Sequence, residues 1–430
     1  MDLFAFLVDF LTGQIIGNVV IFYGLIVFFG NLLRRLPLGE NLASTIKEIA
    51  GTMILFAGVN MLLTAVAPIT SFMSVALGGV TGVLPLDFIP FSNVMEHYGS
   101  AVGIAVLIGV FVNLVLARIT KFKVIHITGH LVIMFTSFFV GSAIGNGIDV
   151  TTSIILGGVI AGIYNWGICA GSYYFMSKND RLTDTFAFGG SEVSTVTLTA
   201  LISPMIGNRE ESTEDIKYPK SLTFLKDPML SAAILFTLLT FFFGVWAGEG
   251  TVAEFAAGQN WLLFLLLTGA TYASSFWILL YGVRMLVGEL LPSFEGLERI
   301  LPGAKPGLDY PMMVQFAPTG AFLGSILFQI GQVVATAVQV ALGFAIVVLP
   351  SQCSGWFIGL ALGAVGNAYG GRRAAIILNL LVGFLISFVW VVYFPLTGNI
   401  FTVTNAIYDY TDAILYIPWL LFVRMLGGAG

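Results

Sequence analysis

The chain has 430 residues, of which 57% are hydrophobic and only 10% are charged, with a formal net charge of −5. A water-soluble domain carries roughly 25% charged residues, so this composition excludes a soluble globular protein and indicates a surface that mostly faces lipid. Fifty glycines and 37 phenylalanines agree with this, because close helix packing in membranes favours small residues and lipid contact favours large apolar ones.

Eleven stretches are apolar and long enough to cross the hydrocarbon core as helices, which takes about 20 residues. In chain order they are 13–33, 48–68, 99–117, 126–146, 151–176, 229–247, 260–283, 321–348, 354–369, 374–395 and 412–426. All 18 lysines and arginines fall in alternate connections or at the end of the last span, whereas the other connections carry acidic residues only. By the positive-inside rule, the N-terminus is predicted outside and the C-terminus in the cytoplasm.

Two further segments begin and end on the basic side of the membrane. Residues 184–206 are rich in threonine and contain a glycine pair, and residues 303–320 contain three prolines and three glycines. Irregular backbone at membrane depth is tolerated where protein buries it or where it lines a wet cavity, and paired broken segments point to a transporter's binding site. We therefore predict two re-entrant hairpins. Two ordinary cytoplasmic loops are the alternative.

The predicted fold is an all-α integral membrane protein with about 11 transmembrane helices and these two hairpins. The chain divides into a first membrane half, a cytoplasmic loop, a second membrane half and a C-terminal transmembrane helix, at residues 1–206, 207–228, 229–395 and 396–430. The two cysteines, Cys169 and Cys353, lie far apart in apolar stretches, which favours neither a disulfide nor a metal site.

Three ionisable residues lie apart from the charged connections: Glu192 in the first hairpin, Asp309 in the second, and His130 near the start of the fourth span. A charge at the bilayer centre costs about 2.5–3.5 kcal/mol on the insertion scale, which indicates a functional role. A carboxylate can accept hydrogen bonds from sugar hydroxyls and can act as their general base. The alternatives are a helix cap at Asp309, a water-facing Glu192 and a structural His130. Asn60 is also placed for a ligand, after a break in the second span.

Several motifs are absent from the sequence. It contains no GxxxxGK[ST] phosphate loop, no HExxH motif and no cysteine cluster, so we expect no bound nucleotide of that kind, no metal and no cofactor. No large soluble domain is present either. Energy for transport must then come from an ion gradient or from a separate protein.

A series of segments resembles, in order and spacing, the phosphotransferase-system (PTS) enzyme IIC proteins of the ascorbate family, in the ascorbate–galactitol superfamily. These segments are 51–58, 119–120, 128–130, 206–219 (IGNREESTEDIKYP), 282–290 (GVRMLVGEL), 300–304, 316–318 and 370–375 (GGRRAA). The resemblance implies a homodimer in the bacterial inner membrane, with a core domain that moves as an elevator against a V-shaped dimerisation domain. It also implies that the substrate is ascorbate or a related sugar or polyol. A cytosolic IIB protein, which carries a phosphoryl group on a cysteine and works with a IIA protein, would phosphorylate it. We expect membrane lipid but no nucleic acid as a further partner.

Carried over by position, the family's substrate pocket falls on Gly58, Val59, Asp87, Ile89, His130, Met134, Phe135, Ser191, Glu192 and Asp309. His130 and Asp309 are retained. The ascorbate carriers have His-Gln in place of Glu192 and Val193, Gln-Gln in place of Met134 and Phe135, Tyr in place of Ile89 and Ser in place of Val59. Since ascorbate is an anion, an ionised Glu192 beside it would be unfavourable, which favours a neutral sugar or polyol.

Two other functions compete with a PTS permease. In an ion-coupled secondary carrier, Glu192 and Asp309 would be proton or sodium sites. An intramembrane enzyme is the third possibility, but the sequence has no paired nucleophile and no metal motif to support it.

Overall fold

The computed structural model of the protein describes residues 18–76, 83–84, 86–87, 89–217, 228–297, 299, 301–350, 354–398, 407–408 and 412–428. The helices are α1 (Val19–Arg34), α2 (Leu38–Ala76), α3 (Ile89–Ile119), α4 (Gly129–Gly145), α5 (Val150–Met176), α6 (Val193–Ile206), α7 (Pro228–Ala247), α8 (Glu249–Phe255), α9 (Trp261–Leu297), α10 (Pro318–Ala341), α11 (Ser354–Tyr393) and α12 (Ala413–Leu426). The strands are β1 (Val83–Leu84), β2 (Leu86–Asp87), β3 (Val124–His126), β4 (Ala187–Phe188), β5 (Lys305–Leu308), β6 (Val347–Val348) and β7 (Ile407–Tyr408).

Six of the described helices are long and apolar enough to cross a membrane. They lie within Leu38–Ala76, Asn93–Ile119, Val150–Met176, Trp261–Gly296, Pro318–Ala341 and Gly355–Leu396. The prediction of a multi-pass, mainly helical membrane protein is confirmed, whereas the count of eleven spans stays a prediction. The predicted spans 354–369 and 374–395 correspond to the two parts of α11, which meet at a kink where Gly371 has a φ of +66°.

Helix α2 has 39 residues and helix α9 has 37, so each is about 55–60 Å long. The hydrocarbon core is only about 30 Å thick, so both helices extend well beyond it. The predicted span 48–68 is therefore the middle of a longer helix. The helix begins ten residues before that span, and its first turns carry Glu40, Lys47 and Glu48, which a search for apolar windows excludes.

Glycines bring α2 and α9 into backbone contact. A Cβ atom on Gly58 of α2 would lie 2.4 Å from the Leu279 nitrogen of α9, and one on Gly282 of α9 would lie 2.3 Å from the Leu55 nitrogen of α2. Small residues at such crossings let helices approach closely where lipid provides no hydrophobic driving force. Helices α1 and α7 pack against this pair and complete a first bundle.

The remaining long helices form a second bundle. Helices α3, α4 and α5 pack against one another, α10 packs along α11, and α11 in turn contacts α6 and α12. Aromatic rings of α4, α5 and α12 cluster in its interior, with the Phe138 and Tyr416 rings stacked at 4.3 Å between centroids. The two short helices α6 and α12 thereby pack as part of this second bundle.

A three-stranded parallel sheet in the order β3-β5-β4 joins segments that are far apart in sequence. His126 of β3 and Ala187 of β4 are both in register with Gly307 of the central strand β5. A Cβ atom on Gly307 would lie 2.3 Å from the Cys169 sulfur of α5, so only glycine fits there. The sequence analysis predicted no strands, because runs of two to four residues produce no recognisable alternation.

Candidate functional site

The three candidate residues follow the three strands of this sheet. His130 comes four residues after the end of β3, Glu192 four residues after the end of β4, and Asp309 directly after β5. In a parallel sheet, the carboxyl ends of all strands lie at the same edge. The sheet therefore places the three segments that carry these residues at the same edge, although the sequence separates them by up to 179 positions.

His130 and Asp309 are in direct contact. The Nε2 atom of His130 lies 3.0 Å from Oδ2 of Asp309, and the two side chains are 21% and 23% exposed. The other carboxylate oxygen of Asp309 accepts a 2.6 Å hydrogen bond from the Tyr310 backbone nitrogen. Asp309 thus caps the 3₁₀ helix Tyr310–Phe316 through Oδ1 and contacts the His130 ring through Oδ2. The alternative role as a helix cap therefore accounts for only one of the two carboxylate oxygens.

Glu192 is held in a strained conformation. Its backbone is left-handed, with φ 55° and ψ 28°, and its side chain is fully buried. Such a conformation in a non-glycine residue costs roughly 1–3 kcal/mol and is concentrated at functional sites. Thr195 donates a 2.7 Å hydrogen bond to the Glu192 carbonyl, and its hydroxyl lies 3.5 Å from Oε2 of the carboxylate. In this conformation Glu192 does not face open water.

Segments 184–206 and 303–320 are joined by hydrogen bonds beside Glu192. The Tyr310 hydroxyl donates to the Ser191 carbonyl at 2.5 Å and lies 2.7 Å from the Ser191 hydroxyl. A Cβ atom on Gly190 would lie 2.2 Å from the Phe188 ring and 2.7 Å from the Tyr310 ring, which accounts for glycine at that position. Segments 184–206 and 303–320 therefore form one structural unit.

Polar residues that the sequence analysis did not single out support this unit. His126 is 5% exposed, with its Nδ1 atom 2.5 Å from Oδ1 of Asn165. His126 is buried because β3 packs against α5 and pairs with the central strand β5. The Tyr23 hydroxyl of α1 accepts a 2.5 Å hydrogen bond from the Gly129 backbone nitrogen, next to His130. No sequence pattern marks these long-range contacts.

The structure describes the other predicted pocket residues only in part. Met134 is buried one turn after His130 in α4. Gly58 faces α9, and Asn60, on the same helix α2, is exposed. Asp87 ends β2 and Ile89 begins α3, but the side chains of Val59, Asp87 and Ile89 lie outside the described part of the chain. The assignment of these residues to the pocket stays a prediction.

The site's chemistry is that of carboxylates, an imidazole and hydroxyls. Among the described residues, no group of three or more His, Cys, Asp or Glu side chains could hold a metal ion. The Cys169 thiol is buried against β5, and Cys353 lies outside the described residues. Such a site can accept and donate hydrogen bonds and can take up a proton from a bound hydroxyl.

Comparison with known proteins agrees with this chemistry. A family model described as "PTS system sugar-specific permease component" matches residues 14–412. The chain is also similar to the "Ascorbate-specific PTS system EIIC component" of Mycoplasma pneumoniae (strain ATCC 29342 / M129 / Subtype 1). The two are 25% identical over 446 residues, a match that covers 87% of this chain and 67% of the relative.

Proposed function

Because the chain belongs to the family of PTS sugar-specific permease components, we propose that it carries a sugar or polyol across the membrane to a cytosolic IIB protein that phosphorylates it. The observation that supports this proposal is that the segments carrying His130, Glu192 and Asp309 follow the three strands of the β3-β5-β4 sheet at the same edge. The contact between His130 and Asp309, at 3.0 Å, makes this edge suitable for a polyhydroxylated ligand.

Asp309 is the proposed general base of phosphoryl transfer. A sugar hydroxyl oxygen attacks the phosphorus of the phosphocysteine on IIB, the phosphorus–sulfur bond breaks, and the thiolate leaves. The hydroxyl proton passes to the Asp309 carboxylate, whose orientation is held by His130 Nε2 and the Tyr310 backbone nitrogen. A positioned base of this kind contributes about 10²–10⁴ in rate. Glu192 is the proposed second hydrogen-bond acceptor for the sugar, and Ser191, Met134 and the α2 residues near Gly58 complete the pocket.

The proposed substrate is a neutral sugar or polyol, although the Mycoplasma relative is named as ascorbate-specific. Ascorbate is an anion, and Glu192 is a fully buried acidic residue. Two like charges a few ångströms apart repel each other strongly where water is excluded. A neutral ligand with several hydroxyls could instead donate hydrogen bonds to both Glu192 and Asp309.

We further propose that the second bundle moves as an elevator against the first and that the first bundle forms the contact of a homodimer. The separation of the helices into two bundles, each with its own internal packing, supports this division. The arrangement of the 18 basic residues supports an outer N-terminus, a cytoplasmic C-terminus and two hairpins that enter from the cytoplasm. The location is the inner membrane of a bacterium, with IIA supplying phosphate to IIB.

The test uses proteoliposomes that contain the purified protein with phosphorylated IIB outside, at the face that is cytoplasmic in the cell. Radiolabelled ascorbate, pentoses, hexoses and polyols are supplied separately from the lumen. The expected result is a sugar phosphate that forms only in the presence of phosphorylated IIB and the transporter. Movement of free sugar driven by a pH or sodium gradient, without phosphorylation, would instead favour the ion-coupled carrier.

A further inference from the structure

Asp412, at the start of the C-terminal helix α12, is bonded to the first turn of α6. Its Oδ1 atom accepts a 2.6 Å hydrogen bond from the Ser194 hydroxyl, and its Oδ2 atom accepts a 3.0 Å bond from the Ser194 backbone nitrogen. Oδ1 also accepts a 3.3 Å bond from the Leu415 nitrogen of its own helix. The sequence analysis placed this residue at the outer end of the last span, whereas the structure buries it completely.

Ser194 lies two residues after Glu192, so this contact acts on the backbone that carries the candidate carboxylate. Glu192 has a left-handed backbone, and α6 begins at the next residue. The Tyr310 hydroxyl holds the chain at Ser191, before Glu192, and Asp412 holds it at Ser194, after Glu192. The strained turn is therefore fixed on both sides.

The same face of α12 is also attached to the helix that carries His130. The Tyr416 ring stacks on Phe138 of α4 with 4.3 Å between centroids. One turn further along, the Trp419 indole donates a 2.9 Å hydrogen bond to the Ser142 hydroxyl of α4. Helix α12 thus braces α4, which begins beside His130, against α6, which begins beside Glu192.

Capping of a helix does not account for this arrangement. Asp149 caps α5 through one 3.0 Å bond to the Thr152 nitrogen, at the exposed surface of the protein. Asp412 makes the equivalent bond to its own helix and directs its shortest bonds to Ser194, 218 residues away in sequence. Burying a carboxylate is costly unless hydrogen bonds compensate for the lost water. The contact with Ser194 supplies these bonds and joins the start of α12 to the first turn of α6.

We propose that Asp412 is a positioning residue that sets the location of Glu192 relative to His130 in the sugar site, acting through Ser194. This inference rests on the proposed function, because it assumes that Glu192 binds the sugar. It makes the C-terminal helix part of the substrate site's support without any direct contact with the substrate.

The experiment compares Asp412→Asn, Ser194→Ala and their double variant with the parent protein, in detergent. Asp149→Asn is the matched control, since it makes the same substitution at an aspartate cap that lies away from the hairpins. The probe is the compound, among L-ascorbate, D-xylose, D-glucose and galactitol, that raises the melting temperature of the parent most. Three quantities are measured: the Kd of that probe, the melting temperature without ligand, and hydrogen exchange of the backbone at residues 193–200.

In Asp412→Asn we expect the Kd to rise about tenfold, within the range for coupled residues of one hydrogen-bond network. Ser194→Ala, the milder variant, should raise it less, and the double variant should bind no more weakly than Asp412→Asn alone. Exchange at 193–200 should accelerate in Asp412→Asn and not in Asp149→Asn. Because asparagine keeps the cap of α5, Asp149→Asn should also leave the Kd and the melting temperature at the values of the parent.

The inference would be overturned if Asp412→Asn bound the probe with the same Kd as the parent protein. It would also be overturned if the effects of Asp412→Asn and Ser194→Ala on the Kd were additive in the double variant. Unchanged exchange at 193–200 in Asp412→Asn would also overturn it, whether or not a sugar binds. If the parent protein bound none of the four probes and formed no sugar phosphate, the proposed function would fail instead. The two failures are therefore distinguishable.

Discussion

Replacing Asp309 by Asn separates the two roles of this residue. One oxygen of Asp309 caps the 3₁₀ helix through a 2.6 Å hydrogen bond from the Tyr310 nitrogen, and the other lies 3.0 Å from His130 Nε2. Asparagine is as good a cap as aspartate and keeps a carbonyl oxygen for the Tyr310 bond. We therefore expect Asp309→Asn to fold normally while it loses the carboxylate at the His130 side.

The size of the effect differs between binding and chemistry. The hydrogen bond that the sugar would donate to Asp309 is a bond to a charged group, which contributes about 1.5–3 kcal/mol. The Asp309 side chain is 23% exposed, and solvent screening places this bond at the lower end of that range. Loss of about 1.5 kcal/mol weakens sugar binding about tenfold. Loss of a general base lowers the rate of phosphoryl transfer about 10²–10⁴-fold. Asp309→Asn should thus lower the rate at saturating sugar much more than the affinity.

The assay measures the initial rate of sugar-phosphate formation in proteoliposomes with saturating phosphorylated IIB, over a range of sugar concentrations. Asp215→Asn is the control, because Asp215 is an exposed carboxylate on the 3₁₀ turn Thr213–Asp215. The smallest loss of rate expected on removal of a general base is about 100-fold. If the rate of Asp309→Asn at saturating sugar lies within about threefold of the parent's rate, Asp309 is not that base.

Three further changes test the rest of the site. Glu192→Gln should abolish uptake without altering the melting temperature of the protein; unchanged uptake would remove Glu192 from the proposed pocket. Tyr310→Phe removes the hydroxyl that joins the two broken segments, and should destabilise the protein by about 1–3 kcal/mol in thermal unfolding. Gly307→Ala places a Cβ atom 2.3 Å from the Cys169 sulfur, and should lower stability by about 1–3 kcal/mol. Gly288→Ala, where the added Cβ meets nothing within 4 Å, is the control and should leave stability equal or higher; equal melting temperatures in the two alanine variants would contradict the packing at β5.

The local chemistry of the sequence dictates the class of protein and the identity of the three central candidates. The low charge and long apolar stretches require a membrane, because neither property depends on which segments pack together. Glu192, Asp309 and His130 stand out for the same reason, since an ionisable group in an apolar segment is costly wherever that segment lies. The prolines and glycines of 303–320 likewise indicate irregular backbone without reference to the rest of the fold.

Tertiary structure alone decides how these residues meet. The register of β3, β5 and β4 depends on pairing between residues up to 181 positions apart, and runs of two to four residues have no periodicity that predicts their partners. The burial of Asp412 and its bonds to Ser194 depend on where α12 docks, so the sequence alone left Asp412 at a membrane surface. Pairing between distant segments is a property of the whole chain, whereas hydrophobicity and charge belong to each residue by itself.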